Sequence, residues 1–202
     1  MVIQLLRTKE FRTHYVELLE KAWTQFLETE HSVNLVEHNL RIKVSDTRVS
    51  LEHAGFIFKE GLQERLTEIL LNHIWIIGVN ESDQFLYTSD NPVVRQSYQN
   101  KPGYAGLASP GIQISLPLTP EYILLLCEKN TFKEVAHLDC HSLSLDSEGV
   151  RYYNHLQVFQ SYRQIYCSKS DFLLAAEICC EYPQVCNPDR GRTQVYSDAI
   201  LD

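Results

Sequence analysis

A short polar segment at residues 88–92, Thr-Ser-Asp-Asn-Pro, directly follows an apolar run. Asp90 could act there as a general base, a metal ligand or a hydrogen-bond acceptor, because a carboxylate serves each of these purposes. Ser89 and Asn91 would add polar groups on either side of it. The same residue types also build an ordinary turn, since Asp and Asn bond to nearby N–H groups and Pro92 interrupts strand pairing. Both interpretations stay open at this level.

A second polar set lies on a predicted helix that begins near Gly149. Asn154, Gln157 and Ser161 are three, then four positions apart and therefore share one face, whereas Arg163 lies on another face. Apolar residues flank this stripe. Such a stripe either lines a site or contacts a loop, because buried amides usually find backbone partners. We predict that Asn154, Gln157 and Arg163 contribute to binding.

Arg7 interrupts the apolar start of the chain. It could pair with Asp90 or bind an anion through two hydrogen bonds. It could equally lie on the surface, with its stem packed on apolar neighbours.

These residues suggest two classes of function. If Asp90, Arg7 and the polar helix face meet in a cleft, the most concrete enzyme hypothesis is a phosphoester hydrolase, or more broadly a domain that binds a phosphate-containing ligand. One Asp with neither a second carboxylate nor a placed His is a poor site for such chemistry. The alternative is a non-catalytic structural or interaction domain in which residues 89–92 form only a turn. Whether the chain is an enzyme stays open, and no cofactor is indicated.

His137, Cys140 and His141 have the spacing that would place three metal ligands on one helix face. The competing interpretation is a solvated segment that is rich in His, which isolated motifs of this kind usually turn out to be. We therefore predict no metal site. The nucleotide-binding glycine loops, the hydrolase Gly-x-Ser-x-Gly elbow and the His-Glu-x-x-His motif are also missing from the sequence.

The six cysteines are interpreted as free, mostly buried thiols in a reducing cytoplasm. The chain start lacks the charged and apolar regions of a secretory signal peptide. The adjacent Cys179 and Cys180, with Cys186, lack the paired spacing of a zinc site.

Composition narrows the class of protein further. With 202 residues, 44% of them hydrophobic and 22% charged, the chain is expected to form one soluble globular domain over residues 1–202. A formal charge of −8 disfavours tight non-specific binding of nucleic acid, although a local basic pocket is compatible with it. No apolar run reaches the roughly 18 residues of a membrane helix, so we expect a cytoplasmic protein with no membrane contact. Its oligomeric state is left open.

The elements that must position the polar residues follow from hydrophobic periodicity. Helices are predicted over about 3–26, 50–74 and from 147 onward, with a last helix from Asp171 that has Ser170 as its N-cap. Residues 74–79 and 85–88 are predicted to form a hairpin. Residues 111–116 and 122–127 are predicted to pair across a turn at 117–120.

This order predicts an α+β fold. An antiparallel sheet of about four or more strands would pack against N-terminal and C-terminal helices that cover one face. Residues 1–74 would be mainly helical, 74–128 would form the sheet, and 147–180 would again be helical.

Three stretches, residues 85–93, 112–120 and 154–166, together resemble the bacterial "domain of unknown function 4238" family. The shared features are a Thr-Ser-Asp-Asn-Pro strand end, a Pro-Leu-Thr-Pro turn, and a helix with an early Asn that ends in Arg-x-Ile-Tyr. Residues 4–8 also resemble the family's Gln-x-x-Arg-Thr helix, so the likeness runs from about residue 3 to about residue 172. It implies a fold and a shared polar cluster, and no reaction.

Two departures from the family pattern stand out. The family usually opens with a His-Tyr-x-Pro-Gln-like segment before the Arg-Thr helix, whereas this chain starts at the helix. The resemblance therefore implies a shortened member or the C-terminal part of one. Ser161 stands where the pattern has a small Ala, which adds a hydroxyl to the polar stripe.

Overall fold

The structure is a computed structural model, and it describes residues 1–30, 43–45, 49, 53–55, 57–99, 106–187 and 190. The α-helices are α1 (Val2–Leu6), α2 (Lys9–Glu30), α3 (Leu62–Leu71), α4 (Ser147–Gln160) and α5 (Leu173–Glu181), and the 3-10 helices are η1 (Lys133–Leu138) and η2 (Pro183–Cys186). The strands are β1 (His73–Asn80), β2 (Thr88–Ser89), β3 (Val94–Ser97), β4 (Ile112–Pro117), β5 (Tyr122–Glu128), β6 (His141–Leu145) and β7 (Ile165–Tyr166).

Five of these strands form one sheet in the order β3-β4-β5-β1-β6. All neighbours are antiparallel except β1 and β6, which are parallel. The short strands β2 and β7 pair with each other, outside this sheet. The α+β prediction, with a mostly antiparallel sheet and helices at both ends of the chain, is confirmed. The predicted pairing of 111–116 with 122–127 is also confirmed, as β4 and β5.

Helices cover the sheet on both faces, so the prediction of one covered face is wrong. Along β5, Ile123 and Leu125 pack with residues of α4, whereas Leu124 and Leu126 pack with Leu5 of α1 and with α3. Successive strand residues point to opposite faces. A strand that is apolar at every position therefore needs a helix on each side.

The predicted hairpin of 74–79 with 85–88 does not form. β1 pairs with β5 and β6, while Thr88 and Ser89 pair with β7. The turn after β1 redirects the chain, because the Asn80 side chain donates to the Gln84 carbonyl at 2.6 Å and accepts the Ser82 N–H at 2.9 Å. Residues 85–87 thus leave the sheet and run beside α4.

The helix boundaries also differ from the predictions. The first predicted helix is two helices, because the Thr8 hydroxyl accepts the N–H of Phe11 and caps α2. Residues 53–55 and 57 of the second predicted helix are helical, but residues 58–61 interrupt it, with Gly61 at a φ of 73°, and α3 begins at Leu62. Other residues of its first half lie outside the described ranges. The last begins at Leu173, where Asp171 rather than Ser170 accepts the N–H of Leu173 at 3.3 Å. None of the helices in the described ranges has the length and apolar character that crossing a bilayer requires.

Candidate functional site

The polar stripe on α4 faces a single stretch of chain, residues 85–95. We call the side-chain amides of Asn154, Gln157 and Gln160 the amide face. Asn154 accepts the N–H of Tyr87 at 2.7 Å and donates to the carbonyl of Phe85 at 2.9 Å. One side-chain amide thereby satisfies a backbone donor and a backbone acceptor, as a neighbouring strand would.

Gln160 does the same one helical turn and a half further along. The side-chain oxygen of Gln160 accepts the N–H of Arg95 at 3.0 Å, and its side-chain amide nitrogen donates to the backbone carbonyl of Arg95 at 2.8 Å. Arg95 belongs to β3, one of the two edge strands of the sheet. The helix therefore occupies hydrogen-bonding positions on an edge that would otherwise need another strand.

Gln157 lies between these two contacts and is fully buried. It donates to the carbonyl of Pro92 at 2.9 Å and accepts the hydroxyl of Ser89 at 2.8 Å. Ser89 in turn accepts the N–H of Asn91, whose side chain donates to the Gln160 carbonyl at 2.9 Å. The structure thus joins Ser89, Asn91 and Gln157 to one another and to backbone, while Asn154, on the same helix, bonds to the backbone of residues 85 and 87.

Asp90 points to the turn that follows α4. Its carboxylate accepts the N–H of Tyr162 at 2.8 Å and that of Arg163 at 3.0 Å. The backbone N–H of Asp90 donates to the carbonyl of Gln164. Backbone N–H groups that point at a carboxylate make charge-assisted hydrogen bonds, which are stronger than neutral ones. Asp90 therefore fixes the conformation of residues 162–164.

The two arginines lie apart from this buried network. Arg7 is an exposed residue at the C-terminal end of α1, and no ion pair joins it to Asp90 in the described part of the chain. Arg163 is exposed, with its guanidinium 5.7 Å from the centre of the Tyr162 ring. The ammonium of Lys9 lies 4.6 Å from the centre of the same ring. No pattern in the sequence indicated that Lys9 would lie close to residues 162 and 163.

The His-rich segment does not lie on one helix face. His137 belongs to η1, His141 begins β6, and Cys140 between them has a φ of 60°. A residue with this φ cannot continue a right-handed helix, so residues 137, 140 and 141 do not share one helix face. Across the residues that the structure describes, no three His, Cys, Asp or Glu side chains are grouped as metal ligands.

Two cysteines differ from the prediction of free thiols. Cys179 near the end of α5 and Cys186 at the end of η2 form a disulfide. Of the free cysteines, only Cys127 is buried, while Cys140 and Cys180 are exposed. The pairing arises because the tight turn into η2 folds the chain back on α5, which spacing alone did not indicate.

A cavity of about 220 Å³ lies between residues 84–87, α4, residues 167–171 and α5. Of the predicted site residues, Asn154 contributes to its wall. The phenol of Tyr87 also faces it and donates to the carbonyl of Asp171 at 2.9 Å. Burial, followed by the negative charge of Asp171 and its neighbours, raises the pKa of Tyr87 to about 12. The residues that line the cavity are spread from 84 to 177, so no local sequence motif could have indicated the cavity.

The fold and the polar network define an α+β domain in which a helix uses side-chain amides to hold an outlying segment and a sheet edge. The chain belongs to the family described as Protein of unknown function (DUF4238), which it matches over residues 1–171. The resemblance seen in the sequence is therefore confirmed, and the matched region ends just before α5. A search of curated proteins and a search of solved structures each found no match.

Proposed function

We propose that residues 89–92 and the amide face serve the architecture of the domain, and that the domain is a non-catalytic structural or interaction module. One observation carries this proposal. The polar groups of Ser89, Asp90, Asn91 and Gln157 are occupied by hydrogen bonds within the protein.

The energetics of burial support the same conclusion. A buried polar group that loses its partner destabilises the folded state by about 1–3 kcal/mol. A catalytic base at Asp90 would have to release the N–H groups of Tyr162 and Arg163 before it could accept a substrate proton. Such a base would therefore work against the stability of the turn that it holds.

Replacing Asp90 with Ala is expected to lower the free energy of unfolding by about 1–2 kcal/mol, because two backbone N–H groups lose a charged acceptor. For a chain of this size that corresponds to a fall in Tm of roughly 2–8 °C. Asp90→Asn should lie between Ala and the parent, since the amide oxygen still accepts one N–H. Differential scanning calorimetry measures both values.

Asp83→Ala is the matched control, because Asp83 is exposed on the turn after β1. It should leave Tm within about 1–2 °C of the parent value. An Asp90→Ala protein that melts with the parent, yet loses binding or turnover of any substrate, would contradict the architectural role and restore the enzyme hypothesis.

A second candidate function is binding of a phosphate-containing ligand, and the cations around Tyr162 favour it. Lys9 and Arg163 both approach this ring, and Arg7 precedes Lys9 by two residues. Two exposed cations near one ring, with the exposed Arg7 two residues before Lys9, favour a locally positive surface on a chain of net charge −8. Arg7 and Arg163 therefore stay candidate residues for binding the phosphate group. Hydrolysis of a bound phosphoester would be an additional activity of the same site.

Pyrophosphate titrated against the protein, followed by amide chemical shifts, tests this second function. We expect saturable shifts at residues 7–9 and 162–163, weakened at least about fivefold in a Lys9→Ala, Arg163→Ala protein because two charge contacts are lost. Lys129→Ala, at an exposed turn, is the control and should bind as the parent does. Equal binding by the double variant would reject an anion site here, and turnover of 4-nitrophenyl phosphate would be needed to support hydrolysis.

A further inference from the structure

The cavity between α4 and α5 shares Asn154 with the amide face, and its other lining residues lie outside that face. One side of it is apolar and is formed by Phe85, Leu173 and Leu174. The lining also includes the charged residues Arg151 of α4 and Glu177 of α5. Sites for small molecules combine apolar walls with a few placed polar groups in this way.

The volume of the cavity limits the size of an occupant. The cavity has a volume of about 220 Å³. That is below the ~300–1,000 Å³ of pockets that hold drug-sized ligands. The cavity therefore suits a compact metabolite rather than a nucleotide or a peptide.

The charges on the lining are unequal. Arg151 donates to the Glu177 carboxylate at 3.0 Å, so these two charges largely neutralise each other, and both side chains are more than half exposed. The carboxylate of Asp171 remains, with one of its oxygens accepting the N–H of Leu173 at 3.3 Å. The lining residues thus carry two carboxylates and one guanidinium, and the fourth charge beside the cavity is the ammonium of Lys169 near Phe85.

An ammonium group of the chain itself already packs against this wall. The Nζ of Lys169 lies 4.3 Å from the centre of the Phe85 ring, which lines the cavity. Aromatic faces attract cations because of the negative charge over the ring. A ligand ammonium would find the same ring and the nearby carboxylate of Asp171.

We propose that this cavity binds a small organic ammonium ion with an apolar body. The ammonium pairs with Asp171, and the apolar body packs against Phe85, Leu173 and Leu174, while Arg151 stays paired with Glu177. This inference stands apart from the architectural role of residues 89–92, and failure of one leaves the other intact.

Three probes of one shape and different charge test the proposal on the full chain. Phenethylamine carries a positive charge, 2-phenylethanol is neutral, and 3-phenylpropanoate is negative. In titrations to the millimolar range, followed by amide chemical shifts, we expect phenethylamine to shift residues 84–87, 151 and 171–177 saturably. The alcohol should bind at least about fivefold more weakly, and the carboxylate more weakly still.

Variants with opposite expected effects locate the charge. Asp171→Asn should weaken phenethylamine binding about fivefold or more, since the amide keeps the acceptor for Leu173 and loses only the charge. Lys169→Met should strengthen binding severalfold, because it removes a competing cation from the Phe85 ring. Glu64→Gln changes the charge of an exposed residue on α3 by the same amount as Asp171→Asn and should change nothing.

Several outcomes would overturn the proposal. They are equal binding of amine and alcohol, shifts that fall outside the cavity, or the same affinity in the parent and Asp171→Asn proteins. If Asp171→Asn does not fold, the comparison of the three probes on the parent protein decides the question together with Lys169→Met.

Discussion

Replacement of Gln157 by Ala is expected to lower the free energy of unfolding by about 3–4 kcal/mol. Gln157 is fully buried and bridges the Ser89 hydroxyl and the Pro92 carbonyl. Truncation removes buried volume, and it leaves both partners without their bond in a place that water does not fill. For a chain of 202 residues this corresponds to a fall in Tm of roughly 6–16 °C. Urea unfolding and calorimetry measure it independently.

Gln157→Met separates the two contributions to this effect. Methionine keeps most of the side-chain volume but cannot replace the hydrogen bonds. Gln157→Met should therefore lower the free energy of unfolding by roughly 2 kcal/mol, about half of the effect of Gln157→Ala. Gln184→Ala, at an exposed position of η2, should change stability by less than about 0.5 kcal/mol. A Gln157→Met protein as stable as the parent would mean that the amide bonds contribute nothing to the fold.

Asn154 offers a second measurement of the same network. Asn154→Ala should destabilise the domain by about 2–3 kcal/mol, because the N–H of Tyr87 and the carbonyl of Phe85 lose their partner. Its effect should be less than additive with that of Gln157→Ala, since both residues hold the same segment. Strict additivity would indicate that residues 85–95 do not behave as one unit.

Replacement of Glu128 by Ala is the other large effect that we expect, at about 2–3 kcal/mol. Glu128 ends β5 and is 8% exposed, and its carboxylate accepts the N–H groups of Gly111, Asn130 and Thr131 at 2.7–3.2 Å. It thereby joins the start of β4 to the turn before η1. Loss of a charged acceptor shared by three backbone donors destabilises all of these contacts together.

The same carboxylate makes stability depend on pH. Burial on its own would raise the pKa of Glu128, but the hydrogen bonds from Asn130, Thr131 and Gly111 outweigh it and lower the pKa from 4.5 to about 2. The ionised form is therefore favoured in the folded chain. Its contribution is fully present above pH 4.5 and is lost progressively as the pH falls towards 2.

Acid titration of stability isolates this contribution when parent and variant are compared. The difference in unfolding free energy between the parent and Glu128→Gln should be constant above about pH 5 and shrink as the pH falls below it. A difference between parent and Glu128→Gln that does not change with pH would refute the lowered pKa.

Local patterns in the sequence were sufficient for the class of fold. The apolar runs at 112–116 and 122–127, joined by a proline-bounded turn, predicted β4 and β5, because strand pairing across a short turn depends on neighbouring residues. The resemblance to the family rested on short segments, such as Thr-Ser-Asp-Asn-Pro and Pro-Leu-Thr-Pro, whose residue types favour turns on their own. The stripe of Asn154 and Gln157 likewise followed from helical spacing, and so did its competing interpretation as a set of polar contacts.

The partners of those residues were decided only by the tertiary structure. The sequence could not show that residues 85–87 leave β1 and lie along α4, because that path depends on the Asn80 turn and on an amide face about 70 residues later. Tertiary structure also decided three other features. These are the disulfide of Cys179 with Cys186, the approach of Lys9 to Tyr162, and the cavity beside α5. Each of these features joins residues that are brought together by the turns and packing of the chain. Hydrophobic periodicity shows on which face of an element a side chain lies, but it does not show which part of the chain packs against that face.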